Sequence, residues 1–301
     1  MATILIIGAS QGLGLEWVRH YKHQGHTVMA TCRNPSSAVE LNELLCGVDD
    51  RIIQLDVTDT ESVLSLKEQL AEAPDITIYN AGVKGYTKFP DNQMTLLNAT
   101  FHSEGLSSRE AGQNLAFQVN AHGFDKILFV LSDILLKKPK ATVVYVTTGV
   151  AVTQLNTSGG YPFYRESKAA GDAFARNWDI ELSKLSSLDS RPRVFSIVPG
   201  LVDTGMGAGV DGAAVPSVRI ADMAKVIMHV KETGDTHGVW TYDGTKFTEY
   251  QLPDSMKEVN PHSYSNATIL TNKGIYKTKS EGGPSANIDP LMVEYWNSKF
   301  L

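Results

Sequence analysis

Cysteine is almost missing from this chain: Cys32 and Cys46 are the only two in 301 residues. That scarcity excludes a disulfide framework as the source of stability, and no Cys/His spacing matches a zinc site. His20, His23 and His26 have an H-x2-H-x2-H rhythm, but they straddle a helix end without an acidic or thiol companion, so no metal is expected. Long apolar runs are missing too. No stretch reaches the roughly 18 residues of a membrane span, and the apolar opening Ile4–Ile7 meets Gly8 too soon for a secretory leader. Asn98, Asn156 and Asn266 head N-x-S/T triplets that, without a leader, read as chance. Positive charge is in deficit: 27 Lys and Arg against 33 Asp and Glu give a net charge of −6, which leaves no footprint for nucleic acid. With 42% hydrophobic residues the chain is rich enough to build a core, which excludes global disorder. These absences together predict a soluble, cytoplasmic protein with no nucleic-acid, membrane or metal partner.

What is present is alternation. Apolar runs at Thr3–Ile7, Thr27–Thr31, Arg51–Leu55, Asp75–Tyr79, Ala141–Thr147, Arg193–Val198 and Gly238–Tyr242 are nearly continuous in Ile and Val, as strands buried on both faces require. Between them, amphipathic patterns predict helices over Gly12–His23, Thr60–Ala71, Ser107–Leu136, Tyr161–Ser186 and Ile220–Lys231. Strand and helix in alternation imply an α/β fold, a single doubly wound parallel sheet of Rossmann type with helices on both faces. Two segments break the pattern: polar Gly85–Gly105, and Leu252–Leu301, which lacks periodicity but ends with Tyr295, Trp296 and Phe300.

The run Ile4-Leu-Ile-Ile-Gly-Ala-Ser-Gln-Gly-Leu-Gly14 sets three glycines between the first strand and first helix. A glycine trio by itself also fits an ordinary turn. Between a strand and a helix, however, it lets the backbone approach a pyrophosphate at the helix N-terminus. Farther on, Tyr164 and Lys168 stand four residues apart, which puts both on one helical face. An ammonium near a phenol stabilises phenolate, which would lower its pKa and bring proton transfer into range.

The G-x3-G-x-G spacing, Leu55-Asp56-Val57, Asn80-Ala81-Gly82, Asn120 in Val-Asn-Ala-His-Gly, Thr147-Thr148, Tyr164-x3-Lys168 and Pro199-Gly-Leu-Val-Asp-Thr204 follow one another in order. This series resembles the short-chain dehydrogenase/reductase (SDR) superfamily over residues 3 to about 243. The stretch Asn156–Tyr161 before Tyr164 is closest to its C-factor/sniffer-like carbonyl reductase branch.

The resemblance implies roles. Gly8, Ser10, Gly12, Leu13 and Gly14 would line the phosphates; Asp56 and Val57 would meet adenine; Asn80, Ala81 and Gly82 would support the sheet beneath the cofactor. Val202 and Thr204 would face the nicotinamide side, and Lys168 would hold a ribose. Where NAD users carry an acid after the second strand, this chain has Cys32 followed by Arg33. A guanidinium there suits a 2′-phosphate, so NADP(H) is favoured, with NAD(H) left open and a solvated surface cation the plainer reading of Arg33. Tyr164 would be the proton donor, Lys168 its tuning cation, and Thr148, in place of the usual Ser, the group that polarises a carbonyl. Asn120 would hold a relay water unless it is an ordinary helix-surface residue. Val83, Tyr86, Tyr161 and Leu201 would form the substrate pocket.

The implied activity is an NADPH-dependent carbonyl reductase or its reverse, acting on a small molecule. Two other classes stay open: an SDR-fold enzyme of non-redox chemistry (isomerisation, dehydration or cyclisation), and a nucleotide-sensing protein without catalysis. A homo-oligomer, dimer or tetramer, would pair the helices at Ser107–Leu136 and Tyr161–Ser186, as the family does. Residues 1–251 are expected to form one domain with an insertion at about 85–105 near the substrate entrance, and 252–301 an irregular extension, not a second domain.

Overall fold

Side chains alternate in the first strand, β1 (Thr3–Ile7): Ile4 and Ile6 enter one hydrophobic layer, Leu5 and Ile7 the other. The strand is therefore buried on both faces, which is why its sequence is continuously apolar. The same holds for β5 (Thr142–Val146) and β6 (Arg193–Val198), every residue of which is buried. The computed structural model describes residues 1–85, 103–157, 159–187, 190–205, 211–247, 269–271 and 274–276. With β2 (Thr27–Cys32), β3 (Arg51–Gln54), β4 (Ile76–Tyr79), β7 (Val239–Thr241) and β8 (Lys246–Phe247), these strands form one sheet in the order β3-β2-β1-β4-β5-β6-β7-β8. All neighbours are parallel except β7 and β8, whose antiparallel turn adds an edge that the alternation did not predict.

Helices cover both faces. On one lie α1 (Gly12–His23) and α7 (Pro216–Thr233), burying Trp17, Val18, Ile220, Met223 and Ile227 with Ile4, Ile6 and Phe195. The opposite layer buries Val63 and Leu66 of α3 (Thr60–Glu68), Phe124 and Leu128 of α5 (Gly123–Leu135), and Ala175 and Leu182 of α6 (Pro162–Lys184). A short α2 (Val39–Leu44) follows β2, and α4 (Ser103–Phe117) leads into α5. The helix expected over Ser107–Leu136 is thus two helices joined through a π-helical turn at Gln118–His122.

Met1–Glu249 and Tyr250–Leu301 form separate units. The described residues of the second are an antiparallel pair, β9 (Ile269–Thr271) with β10 (Gly274–Tyr276), where the sequence suggested only irregular chain. Residues 86–102, most of the insertion, lie outside the described residues, and so does Tyr86.

The glycine loop is closed by contact. A Cβ on Gly14 would collide with the Gly8 carbonyl oxygen and reach within 2.8 Å of Asn80 Nδ2, the group that donates to that carbonyl at 3.1 Å. Gly14→Ala is therefore expected to lose about 1–3 kcal/mol through overpacking, read as a lowered midpoint of thermal unfolding. An unchanged midpoint would show that the loop can open without cost.

Candidate active site

The loop between β1 and α1 is shaped to leave donors free. Gly8 (φ +82°) and Gly12 (φ +57°) occupy the left-handed region that side chains avoid. The residue preceding α1, Gln11, makes no side-chain cap, and the first turn carries no acid, so the leading amides of α1 remain for an anion. Ser10 is exposed at this edge and Leu13 half-buried. Thr204 approaches from across the cleft, 3.8 Å from where a Cβ on Gly12 would sit. It belongs to a segment in which Val202 is buried and paired with Ala214, while Leu201 is 45% exposed at the rim. This uncapped helix start, with its glycine cradle, fits a dinucleotide pyrophosphate.

Around it the remaining sequence candidates assemble in part. A Cβ on Gly8 would touch the backbone of Ala81 at 2.8 Å, so the turn Asn80-Ala81-Gly82 lies directly under the glycine loop. Gly82 in turn faces Lys168 Nζ (3.2 Å from its would-be Cβ) and Asn120 Oδ1 (3.4 Å). Val57 is buried, packed against Gly123. Asp56 uses Oδ1 locally, accepting from Thr58 N (2.9 Å) and Thr58 Oγ1 (2.7 Å). Arg33 is exposed just beyond β2, and the side chain before it, Cys32, is a buried thiol whose pKa burial raises and not a carboxylate.

The catalytic candidates sit on α6 and the end of β5. Thr148 Oγ1 accepts from Val150 N at 3.4 Å and lies near enough to Tyr164 to favour its phenolate. One turn along α6, Lys168 is 3% exposed, donates to the Val146 carbonyl at 2.8 Å and lies 4.7 Å from the Tyr145 ring centroid. Burial raises the Tyr164 phenol to about 12, with Thr148 opposing it. The direction is opposite to the lowering expected from Lys168: desolvation is the largest cause, and the Asp172 charge adds to it. Lys168 is itself lowered, to about 8, by burial, with Asp172 opposing.

Asn120 belongs to the π-helical turn and is wholly buried. Its amide accepts from Val83 N (2.8 Å) and donates to Val83 O (2.8 Å) and Ser167 Oγ (2.9 Å), tying the segment after β4 to α6. Its backbone carbonyl accepts from Tyr145 Oη at 2.6 Å. Asn120 is thus neither a surface residue nor an acceptor open on all sides. Tyr145 and Ser167 went unnoticed in the sequence. Tyr145 reads there as one more apolar position of β5.

The turn before α6 is strained and clamped. Gly159 (φ +62°), Gly160 (φ +73°) and Tyr161 (φ +49°) are successive left-handed residues. Arg165 holds them, donating to Gly159 O (2.7 Å), Gly160 O (2.7 Å) and Val150 O (2.8 Å). Arg165 is therefore a brace for this turn. Lys84 Nζ stands 5.2 Å from the Tyr161 ring centroid, which brings the segment after β4 to it.

Among the described residues no cluster of His, Cys, Asp and Glu could hold a metal ion, and no helix is long and apolar enough to cross a membrane. A family model described as short chain dehydrogenase matches residues 2–214. The uncharacterized oxidoreductase DltE of Bacillus subtilis is 28% identical over 207 residues, 68% of this chain and 73% of its own. The 1-hydroxy-2-glutathionyl-2-methyl-3-butene dehydrogenase of a Rhodococcus species is 27% identical over 256 residues, covering 81% of this chain and 98% of its own. In fold, the chain is similar to the carbonyl reductase Sniffer of D. melanogaster, with TM-score 0.69 and 22% identity over 83% of this chain and all 100% of that one. An NADPH-bound carbonyl reductase from chicken fatty liver gives TM-score 0.68 and 22% identity over 83% and 99%. With the family model spanning more than two thirds of its length and the motifs on the expected elements, this chain belongs to the short-chain dehydrogenase family of oxidoreductases.

Proposed function

We propose that the protein is an NADP(H)-dependent carbonyl reductase of small molecules, working through Tyr164, Thr148, Lys168 and Asn120. The observation that carries this reading is convergence: Thr148, just after β5, acts on the Tyr164 phenol against the effect of burial, one helical turn from a buried lysine. Two convergent hydroxyls can both meet one substrate oxygen, the arrangement that stabilises negative charge developing there. Bound along the glycine loop, a reduced nicotinamide supplies the hydride. Tyr164, protonated at neutral pH, gives its proton to the carbonyl oxygen as that charge develops. Thr148 donates to the same oxygen, Lys168 offsets the phenolate left behind, and Asn120 fixes the spacing between α6 and the segment after β4. Leu201, exposed in the segment that carries Val202 and Thr204, favours an apolar carbonyl compound.

The test is stoichiometry. With a panel of aldehydes and ketones, one NADPH should be oxidised per alcohol formed; conversion without loss of reduced-nicotinamide absorbance would overturn the reading in favour of non-redox chemistry. Cofactor choice is tested separately. A charge-assisted contact contributes about 1.5–3 kcal/mol, so Arg33→Ala should raise the KM for NADPH roughly tenfold to a hundredfold and leave that for NADH within about twofold. Equal effects on both cofactors would remove Arg33 from the 2′-phosphate site.

A further inference from the structure

Asp172 lies one turn beyond Lys168 on α6, so Tyr164, Lys168 and Asp172 recur every four residues along one helical face. Its Oδ2 accepts from Thr147 Oγ1 at 2.9 Å, which ties α6 to the end of β5, and Ser196 of β6 lies near enough to favour the ionised carboxylate. Its other oxygen, Oδ1, is buried without a hydrogen-bond partner. On its outer side Asp172 lines a cavity of about 410 Å³ together with Arg176, Ser196 and Thr236. Lys168, for its part, is buried with one carbonyl acceptor and one aromatic face, and among the described residues no carboxylate approaches it within ion-pair distance. An ammonium removed from water on those terms would shed its proton unless an opposite charge stood nearby. A carboxylate with a spare, desolvated oxygen one turn away supplies that charge.

We propose that Asp172 is the counter-charge of Lys168, a positioning residue that holds the buried lysine as an ammonium while touching neither substrate nor cofactor. The titratable and charged groups facing this carboxylate are Tyr164, Lys168 and Arg176 from α6 and Tyr145 from β5; β5 and β6 otherwise present the hydroxyls of Thr147 and Ser196. Arg176 is engaged with Asp179 at 3.3 Å, which leaves Lys168 as the cation Asp172 serves. The acid also raises both phenols, so its charge and that of Lys168 act on Tyr164 with opposite sign. Through Lys168, the inference rests on the reading of the active site given above, and its test separates the two.

Full-length, ligand-free protein carrying [13Cε]lysine is titrated by NMR, with the Lys168 signal assigned by its loss in Lys168→Arg. The wild-type signal should titrate near 8, with a smaller inflection near 6 as Asp172 ionises. Asp172→Asn keeps an acceptor for Thr147 but removes the charge. It should lower the Lys168 midpoint by about one pH unit and abolish the smaller inflection. Thr147→Val removes the tether and keeps the charge, so the midpoint should stay put. An unmoved or raised midpoint in Asp172→Asn, or an equal fall in Thr147→Val, overturns the proposal; if Asp172→Asn does not fold, absence of the wild-type inflection does so. In parallel, the alkaline limb of kcat/KM should move down with the lysine. A shifted lysine with an unmoved limb upholds the counter-charge and refutes the catalytic role given to Lys168.

Discussion

Tyr164→Phe is expected to abolish carbonyl reduction, with kcat falling about 10²–10⁴-fold while the fold survives. Phenylalanine fills the same space, so the packing of α6 is kept and only the hydroxyl, with its interaction with Thr148, is lost. The size of the loss follows from what the hydroxyl does. Burial raises this phenol to about 12, so at neutral pH it is protonated and ready to act as an acid. The sign carries into pH dependence. Reduction draws on the protonated form and should not gain from added alkali, whereas alcohol oxidation needs the phenolate and should speed up as pH rises toward that value. Measured in both directions with NADPH and NADP, retained turnover in the phenylalanine variant would sink the assignment of Tyr164. A reduction rate that climbs with pH would show that the phenol is not the donor.

How much of this was legible beforehand depends on whether the cause was local. The bounds of β1 and α1 match the expected Thr3–Ile7 and Gly12–His23, because an apolar run, a glycine turn and an amphipathic stripe are all written in neighbouring residues. Gly8, Gly14 and Asn80 were legible for the same reason, and the structure shows their close contacts. Asn120 was found by its motif, but its π-helical turn was not. That turn exists because Asn120 must reach Val83 and Ser167 at once, a demand set by distant chain. Likewise β8 is two residues long and is held by the Asp243–Gly244 turn, too short to carry a period. The misread signs were electrostatic. From spacing alone Lys168 should depress Tyr164, yet spacing says nothing of solvent, and burial moves both groups toward neutrality. Asp172 and Arg165 looked like the polar side of a helix; one tethers α6 to the sheet and the other braces three carbonyls.

Asp179→Ala should be the most destabilising single change, by about 3–5 kcal/mol, although the residue lies two turns beyond Asp172 and far along α6 from Tyr164. Asp179 is 2% exposed, and every direction around its carboxylate is used. Oδ1 accepts from Arg191 Nη1 (3.3 Å) and from Val194 N (3.3 Å); Oδ2 accepts from Thr236 Oγ1 (2.6 Å) and Arg176 Nη1 (3.3 Å). Alanine would take the carboxylate from Arg191 Nη1, a backbone amide of β6 and the Thr236 hydroxyl, leaving Arg191 held through Nη2 to Gly234 O, and donors left unpaired cost more than the pair itself contributes. For a unit of this size the midpoint of thermal unfolding should fall by roughly 10 °C. Asp179→Asn, which keeps both acceptors at reduced strength, should lose less than half as much. The consequence for catalysis follows from the helix. Arg165 braces the start of α6 and Asp179 anchors its far end to β6, so the rigid segment between them carries Tyr164, Lys168 and Asp172 at fixed spacing. Below its lowered midpoint the alanine variant should therefore keep a near-normal kcat per folded molecule, since the brace at Arg165 still sets the site. A loss of stability under about 1 kcal/mol would mean that water replaces the carboxylate. A kcat that fell at temperatures where the protein stays folded would mean that the C-terminal anchor, and not the brace, positions the tyrosine.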